Sequence, residues 1–290
     1  MKIYPDCFPC FFRQATIAFD HLEIDEASQL RILKGVSEVV SSHDLSGSPA
    51  HITTHIHRLI RNEAGCDPFR KIKVVYNDKA LAMYGELKEV VDRSEDPLYT
   101  ATRLAIAGNI IDFGIFKSVD IEGAIAKALH NELDIDDYIR LCDDMRDARS
   151  VLYLLDNAGE IVFDRLLIET MIDAGVQVTA VVKGSPVIND AVHEDAVQSG
   201  IQKICDVIDN GSDAVGTIMK WCDKDFKREF EDAELIVSKG QANFETLMYE
   251  EKENIYFLFQ AKCDVVASYL GLEKGAMILS RGIDSWRSKV

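Results

Sequence analysis

The chain has 290 residues, which at about 100–200 residues per domain allows one large domain or two modest ones. Its formal net charge of -17 repels phosphate backbones and anionic lipid surfaces, so we expect neither nucleic acid nor a membrane as a partner. The simplest interpretation of this charge is a solvated, acidic exterior.

The cysteines and the apolar runs indicate the cellular location. The seven cysteines are an odd number, which disfavours a disulfide framework. The first residues, MKIYPDCFPC, lack the basic start and apolar stretch of a signal peptide. No apolar run approaches the roughly 20 residues that span a bilayer. We therefore predict a cytoplasmic protein.

Residues 1–148 carry helical patterns almost throughout. Apolar residues recur at helical spacing in DEASQLRILKGVSEVVSS, NDKALAMYGELKEVVDRS and DPLYTATRLAIAGNIIDFG. In GSPAHITTHIHRLIRNEAG, Ser48 is a candidate cap, Pro49 falls in the first turn and Gly65 marks the end. We predict an N-terminal helical domain over residues 1–148.

After Arg149, short apolar runs alternate with helical stretches. The runs are 151–155, 176–182, 201–208, 234–238 and 254–260. Strand followed by helix, repeated, predicts an α/β domain over residues 149–290, with a mainly parallel sheet covered by helices on both faces. The boundary segment has no proline or glycine linker, so we expect the helical domain to pack tightly against the α/β domain.

Polar residues follow four of the predicted strands, and the carboxyl ends of parallel strands meet at the crevice where ligands bind. Carboxylate and amide oxygens suit Mg²⁺ or Mn²⁺, and lysine supplies a point charge for phosphate. For any single loop, ordinary helix capping and turn formation remain an alternative. The residues are Asp156 and Asn157; Lys183, Gly184, Ser185, Asn189 and Asp190; Asp209, Asn210, Gly211 and Ser212; and Lys239, Gly240, Gln241 and Asn243.

Common nucleotide-binding and serine-hydrolase motifs do not occur in the sequence. There is no GxxxxGK[ST] loop, and no GxGxxG follows a predicted strand. A GxSxG elbow is also missing, which makes acyl transfer by a serine nucleophile an unsupported hypothesis.

Two pairs of side chains in the helical half could bind a metal. Cys7 and Cys10 have CxxC spacing, which suits half of a zinc site or a redox pair, but no second short-spaced pair completes four zinc ligands. His51 and His55 lie one helical turn apart, beside apolar residues and without an HEXXH motif. For both pairs, packing or capping is the main alternative.

Asn109 and Asp112 interrupt an otherwise apolar helical stretch. A buried amide and a buried acid need partners, so these side chains either satisfy backbone groups or reach into a site. The residue types alone do not decide between these two roles.

Six motifs, in this order along nearly the whole chain, resemble those of the damage-control phosphatase family of metal-dependent phosphatases. Any one of them is weak evidence, whereas the ordered set is specific. The CxxC start and GNIIDFG look like the branch of the family found in microbes and in the plant and pantothenate-kinase-fused proteins, rather than the branch once described as carboxyl methyltransferases. The motifs are CFPCFFRQ at 7–14, DPFRKIK at 67–73, DPLYTATRLAIAGNIIDFG at 96–114, LLDNAGEIVFD at 155–165, VKGSPVINDA at 182–191 and SKGQANFE at 238–245.

The resemblance implies a helical domain joined to an α/β/α sandwich, together with a divalent metal. It implies that Asp156, Asn157 and Asp190 hold this metal. It also implies that Lys239 and Asn109 contact the phosphate. The KGQAN sequence differs from the KGDLN or KGQGN of other members by Ala242, which leaves the lysine in place.

Asp112 and Glu160 are secondary candidates, either orienting the metal and its waters or positioning Lys239. Gly159 would permit close approach at the start of a helix.

These observations lead to the hypothesis of a phosphomonoesterase that uses Mn, Co, Ni or Mg to polarise the phosphoryl group and orient an attacking water. The resemblance suggests small phosphorylated metabolites as substrates, either sugar phosphates or damaged cofactor precursors. One alternative is a binding module for metal or phosphometabolites without turnover. Another is an S-adenosylmethionine-dependent methyltransferase, although no glycine-rich loop follows the first strand. A zinc or redox protein that uses the CxxC pair is a further alternative.

Overall fold

The structure, a computed structural model, describes residues 1–110 and 121–282. The α-helices in these ranges are α1 (Cys7–Phe19), α2 (Glu26–Ser42), α3 (Pro49–Ala64), α4 (Arg70–Arg93), α5 (Pro97–Ile110), α6 (Ile121–His130), α7 (Tyr138–Asp147), α8 (Glu160–Asp173), α9 (His193–Ser199), α10 (Lys224–Asp232), α11 (Gln241–Leu247) and α12 (Asp264–Tyr269). The strands are β1 (Ile135–Asp136), β2 (Ser150–Leu154), β3 (Gln177–Val182), β4 (Asp206–Asp209), β5 (Leu235–Lys239), β6 (Ile255–Gln260) and β7 (Met277–Arg281).

The seven strands form one sheet in the order β1-β7-β6-β5-β2-β3-β4. All neighbouring pairs are parallel except β6 and β7, which are antiparallel. The predicted mainly parallel sheet is therefore confirmed. Strands β3 and β4 lie on one side of β2, whereas β5, β6 and β7 lie on its other side. The order in which the chain adds strands therefore reverses between β2 and β5. In sheets of this kind, ligands bind outside the carboxyl ends of the two strands at such a point.

Helices cover both faces of the sheet, as predicted. On one face α4, α5 and α8 form a core with inward side chains such as Tyr153 and Val237. On the other face α10, α11 and α12 pack against the sheet, and Phe244 stacks on Phe259 with ring centroids 4.8 Å apart. The alternation of side chains along each strand explains how one strand serves both cores.

The helical half is divided between two structural roles. Helices α1, α2 and α3 pack on one another around Phe11, Ile32 and Ile56, which form a core of their own. Helices α4 and α5 instead belong to the layer that covers the sheet. The segment before residue 149 also contributes β1, which pairs with β7. The boundary at residue 148 stays a prediction, but the sheet and its core include elements from before it.

The local sequence pattern predicts both ends of α3 correctly but not the hydrogen bonding of Ser48. The helix begins with Pro49 in its first turn and is followed by Gly65 in the left-handed region, as expected. Ser48 occupies the capping position without a capping hydrogen bond, because its hydroxyl pairs with His51 Nδ1 at 2.9 Å.

One predicted strand is partly wrong. The run 201–208 divides into a 3₁₀ turn, Ile201–Lys203, and the short strand β4, which ends at Asp209. Strands β1 and β7 were not predicted; β1 has only two residues, too few for a periodic pattern. All seven cysteines lie in the described ranges and are free thiols. Within residues 1–110 and 121–282, no helix combines the length and apolarity needed to cross a bilayer.

Candidate active site

The loops after β2 and β3 bring Asp156, Asn157 and Asp190 together at the carboxyl edge of the sheet. Backbone bonds fix the two loops side by side. Ala191 N donates to Asp156 O at 2.8 Å, and Ala158 N donates to Asn189 O at 2.8 Å. Asn157 and Asp190 form an isolated β-bridge. The structure thus places the three candidate metal ligands next to one another, at the point where the sheet changes direction.

The electrostatics of this cluster suit a cation. Asp156 is 5% exposed and Asp190 is 4% exposed. Burial raises the pKa of Asp156 well above its usual range, and the negative charges of Glu160 and Asp190 raise it further, against the lowering effect of Lys262. Buried carboxylates whose charges repel one another are stabilised when a divalent cation binds between them.

The donor set consists of two carboxylates and one amide. Asn157 Nδ2 donates to Asp156 Oδ2 at 2.7 Å and to Glu160 Oε2 at 3.1 Å, which leaves its carbonyl oxygen available to a metal ion. In the part of the chain that the structure describes, no three His, Cys, Asp or Glu side chains surround one metal position. The oxygen-only set fits a hard divalent ion such as Mg²⁺ or Mn²⁺ better than zinc.

Lys239 ends β5 and lies in a buried ionic network. Its ammonium donates to Glu160 Oε1 and Asp164 Oδ1, both at 2.6 Å, and to Ala105 O at 2.9 Å. The side chains of Lys239, Glu160 and Asp164 are all fully buried. Because an ammonium has three N–H donors, all of them are used by protein acceptors. A direct contact between Lys239 and a phosphate oxygen therefore stays a prediction, whereas the expected pairing of Glu160 with Lys239 is observed.

Charge and burial have opposite effects in this network. Burial raises the pKa of Asp164 to about 7, although the Lys239 ammonium acts in the lowering direction. Burial alone would lower the pKa of Lys239, but the carboxylates of Asp164 and Glu160 outweigh it and raise this pKa. The lysine therefore stays charged and holds Glu160 next to the Asn157 amide.

Two glycines make the close approach of these loops possible. Gly159 immediately precedes α8 and has φ of 81°, in the region that favours glycine, as its position after Asp156 and Asn157 suggested. Gly240 has φ of 83°, and a Cβ atom there would lie 1.9 Å from Asp156 Oδ2. The glycine of the KG loop therefore provides the space that the Asp156 carboxylate occupies.

Sequence reasoning missed Asn77, a fully buried side chain of α4. Its Oδ1 accepts from Gly159 N at 2.7 Å, and its Nδ2 donates to Asp195 Oδ1 at 2.8 Å. The amide thereby fixes the first turn of α8 beside the cluster. An asparagine on the apolar face of a predicted helix was the available signal.

A cavity of about 560 Å³ opens onto the cluster. Asp156, Asn157 and Asp190 form part of its wall, and α1 forms another part through Cys7 and Cys10. Burial raises the pKa of the Cys7 thiol, which disfavours the reactive thiolate.

Three cations that line this cavity were also missed. They are Arg13 on α1, Lys262 after β6 and Lys274 before β7. Lys262 lies two residues after the fifth predicted strand, 254–260, and this position was the signal that could have found it.

The two histidines of α3 lie in an aromatic cluster rather than at the cavity. The rings of His51 and His55 contact Trp221 edge-on, with centroids 5.2 Å and 5.4 Å apart. His55 also lies 4.3 Å from the ring of His43. These contacts agree with the packing alternative.

Comparisons with known proteins agree with this architecture and with the order of the motifs. Residues 3–278 match the family model described as damage-control phosphatase ARMT1-like domain. The chain belongs to this family. It is 38% identical to an uncharacterized protein of Methanocaldococcus jannaschii over 289 residues, covering 96% of this chain and 95% of the relative. It is 35% identical to a damage-control phosphatase of Archaeoglobus fulgidus over 288 residues, covering 96% and 98%.

A solved structure of the family has the same fold. It is the crystal structure of a DUF89 family protein from Pyrococcus horikoshii, with a TM-score of 0.86 and 32% identity, covering 97% of this chain and 99% of that one. The family resemblance expected from the motifs, and the α/β fold that it implied, are confirmed. Placement in the CxxC branch of the damage-control phosphatases stays a prediction.

Two residues that the family motifs suggested cannot be located as side chains. Asn109 belongs to α5, whose backbone is described, but its side chain is not. Asp112 lies outside the described residues. Helix α5 does reach the site, since Ala105 O accepts a hydrogen bond from Lys239 Nζ. The roles expected for Asn109 and Asp112 as substrate-binding residues stay predictions.

Proposed function

We propose that this protein is a divalent-metal-dependent phosphatase that hydrolyses small phosphorylated metabolites. The observation that carries the proposal is the pair of buried carboxylates, Asp156 and Asp190, held beside Asn157 at a ligand-sized cavity. The names of two relatives, both damage-control phosphatases, support phosphatase activity. The metal dependence and the class of substrate are our own inferences.

Asp156, Asn157 and Asp190 would hold the metal, and their oxygen ligands fit Mg²⁺, Mn²⁺, Co²⁺ or Ni²⁺. When bound, a divalent cation supplies Lewis-acid stabilisation of the charge that develops on the phosphoryl group. Lys183 orients Asp190: its ammonium donates to Gly216 O and lies 3.5 Å from Asp190 Oδ2. Glu160 orients Asn157 by accepting from the amide nitrogen.

The two lysines near Asp156 would have separate roles. Lys239 donates all three of its N–H groups to buried acceptors, so we assign it the positioning of Glu160. Lys262 lines the cavity, and its charge acts on Asp156, so we assign it the contact with a phosphoryl oxygen. This assignment moves the phosphate-binding charge from the KG loop to the loop after β6.

The test measures phosphate release from p-nitrophenyl phosphate and a panel of sugar phosphates. Chelated protein is resupplied in turn with Mg²⁺, Mn²⁺, Co²⁺ and Ni²⁺, using wild type, Asp156→Asn and the control Asp225→Asn, whose side chain is 87% exposed on α10. We expect metal-dependent turnover that falls by at least about 100-fold in Asp156→Asn and is unchanged in the control. Equal turnover in wild type and Asp156→Asn contradicts the assigned site. Binding of phosphoesters without turnover in any metal favours the binding-module alternative.

A further inference from the structure

Glu245 is a buried acid in the wall of the cavity, outside the cluster of candidate metal ligands. It belongs to α11, and 8% of the residue is exposed. The cavity wall contains two other acids beyond the cluster, Asp6 and Asp264, and both are exposed to solvent. Burial therefore distinguishes Glu245 from these two acids.

Helix α11 connects Glu245 to the metal-ligand cluster. The residue before the helix is Gly240, where a Cβ atom would lie 1.9 Å from Asp156 Oδ2, so α11 starts directly against that carboxylate. Glu245 follows Gln241 by four residues, which places the two on one face of the helix and about 6 Å apart along its axis. A phosphoester bound at the cluster can therefore extend its leaving group along this wall toward Glu245.

The side chain of Gln241 links Glu245 to the loop after β6. Gln241 Nε2 donates to Glu245 Oε1 at 2.8 Å, and Gln241 Oε1 accepts from Lys262 N at 2.8 Å. Lys262 is the residue to which we assign the contact with a phosphoryl oxygen. One amide thus holds the acid and the backbone of this lysine in a fixed relation to each other.

The surroundings of Glu245 favour a carboxyl group that exchanges a proton near neutral pH. Burial raises its pKa to about 7, although the Gln241 amide and the Met1 amine act in the lowering direction. Within residues 1–110 and 121–282, no lysine or arginine side chain forms a salt bridge with Glu245 that would keep it ionised. The ionisable groups that face it are the amine of Met1 and the thiols of Cys7, Cys10 and Cys263.

We propose that Glu245 is the general acid of the phosphatase reaction and protonates the oxygen of the departing alcohol. In this step the oxygen of the attacking water bonds to phosphorus, and the bond from phosphorus to the ester oxygen breaks. The ester oxygen takes the proton of Glu245, and the proton released by the water restores the carboxyl group. One ester and one water thus give one alcohol and one hydrogen phosphate. This inference rests on the proposed phosphatase function.

Leaving groups differ in their need for this proton, which separates a general acid from a merely structural residue. The p-nitrophenolate anion is stable and departs without protonation, whereas the alkoxide of a sugar or of glycerol is strongly basic. General acid catalysis contributes about 100- to 10,000-fold where the proton is needed. Loss of the acid should therefore slow the hydrolysis of alkyl esters far more than that of p-nitrophenyl phosphate.

The experiment measures kcat/KM with saturating Mn²⁺ for two esters on the same samples. One ester is p-nitrophenyl phosphate, and the other is whichever of glycerol 3-phosphate and fructose 1-phosphate wild type hydrolyses faster. The proteins are wild type, Glu245→Gln, Glu245→Asp and the control Asp264→Asn, which changes an exposed acid of the same cavity wall. Because both esters are assayed on one sample, the ratio of the two values does not depend on the folded fraction.

We expect Glu245→Gln to lower kcat/KM for the alkyl ester by at least about 100-fold and for p-nitrophenyl phosphate by less than about 5-fold. Glu245→Asp should keep part of the activity on the alkyl ester, because it keeps a carboxyl group. Asp264→Asn should keep the wild-type ratio. The wild-type ratio in Glu245→Gln, or an equal change of the ratio in Asp264→Asn, would overturn the proposal.

The same measurements separate failure of this proposal from failure of the proposed function. If wild type releases phosphate from none of these esters with Mg²⁺, Mn²⁺, Co²⁺ or Ni²⁺, the phosphatase proposal fails and the general acid fails with it. If wild type hydrolyses p-nitrophenyl phosphate but neither alkyl ester, or if Glu245→Gln slows both kinds of ester equally, the phosphatase proposal stands and the general acid is refuted.

Discussion

The buried network around Lys239 predicts a large and pH-dependent loss of stability when the lysine is removed. In Lys239→Met the side chain keeps much of its volume, but Glu160 and Asp164 lose their shared cation. Both carboxylates are fully buried, and each accepts from the ammonium at 2.6 Å. Removing one partner of a buried ion pair costs about 3–5 kcal/mol, because the remaining charge stays unpaired. Asp164 keeps the bond from Tyr153 at 2.8 Å and Glu160 keeps the bond from Asn157 Nδ2 at 3.1 Å, but neither neutral donor replaces the lost positive charge.

The pH dependence follows from Asp164. Its pKa is raised to about 7 by burial even with the lowering effect of Lys239, so the variant should raise this pKa further. A carboxyl group with a raised pKa in the folded state destabilises the fold above that pKa, and the penalty is relieved as the pH falls through it. The loss in Lys239→Met should therefore be larger at about pH 8 than at about pH 5.5.

Urea unfolding followed by circular dichroism measures this effect at both pH values. The matched control is Lys79→Met, an exposed lysine of α4, for which we expect a change within about 0.5 kcal/mol. A loss below about 1 kcal/mol in Lys239→Met would refute the network as a source of stability. An equal loss at both pH values would refute the role assigned to Asp164.

Two further substitutions test how the cluster is built. Gly240→Ala should reduce metal-dependent phosphate release by at least about 10-fold, because the new Cβ displaces the Asp156 carboxylate; Gly271→Ala, also at positive φ but with no atom within 4 Å, is the control and should leave turnover unchanged. Asn77→Ala should lower the free energy of unfolding by about 1–3 kcal/mol, since it leaves Gly159 N without its acceptor. Chemical denaturation measures this loss, and a change below about 0.5 kcal/mol would show that the amide does not hold the first turn of α8.

The sequence was sufficient to predict the strands that are buried on both faces. The runs at 151–155 and 254–260 are continuous and apolar, which is the pattern of central strands in a covered sheet. The run 201–208 contains lysine and glutamine in its first half, and that half forms a 3₁₀ turn. Strand β1 depends on pairing with β7, far along the chain, which no local pattern reports.

The proximity of Asp156, Asn157 and Asp190 was also predictable, because they follow two strands whose carboxyl ends must meet at one edge. The environment of Lys239 was not fully predicted, although Glu160 and Asp164 lie one helical turn apart on α8 and share a face. The third acceptor of the Lys239 ammonium, Ala105 O, belongs to a residue 134 positions away in the sequence, so no local pattern indicates it. Arg13 and Lys262 line one cavity from distant parts of the sequence, and such long-range packing cannot be read from spacing.

The most direct test of the account measures metal content and phosphate release on the same samples. Wild type, Asp156→Asn and Asp190→Asn are chelated, incubated with Mn²⁺, freed of excess metal by gel filtration, and analysed for bound metal and for turnover of p-nitrophenyl phosphate. We predict one bound ion per chain together with turnover in wild type, and loss of both in each variant. Turnover that persists in metal-free wild type, or full metal content in both variants, would contradict the assignment of the ligand cluster.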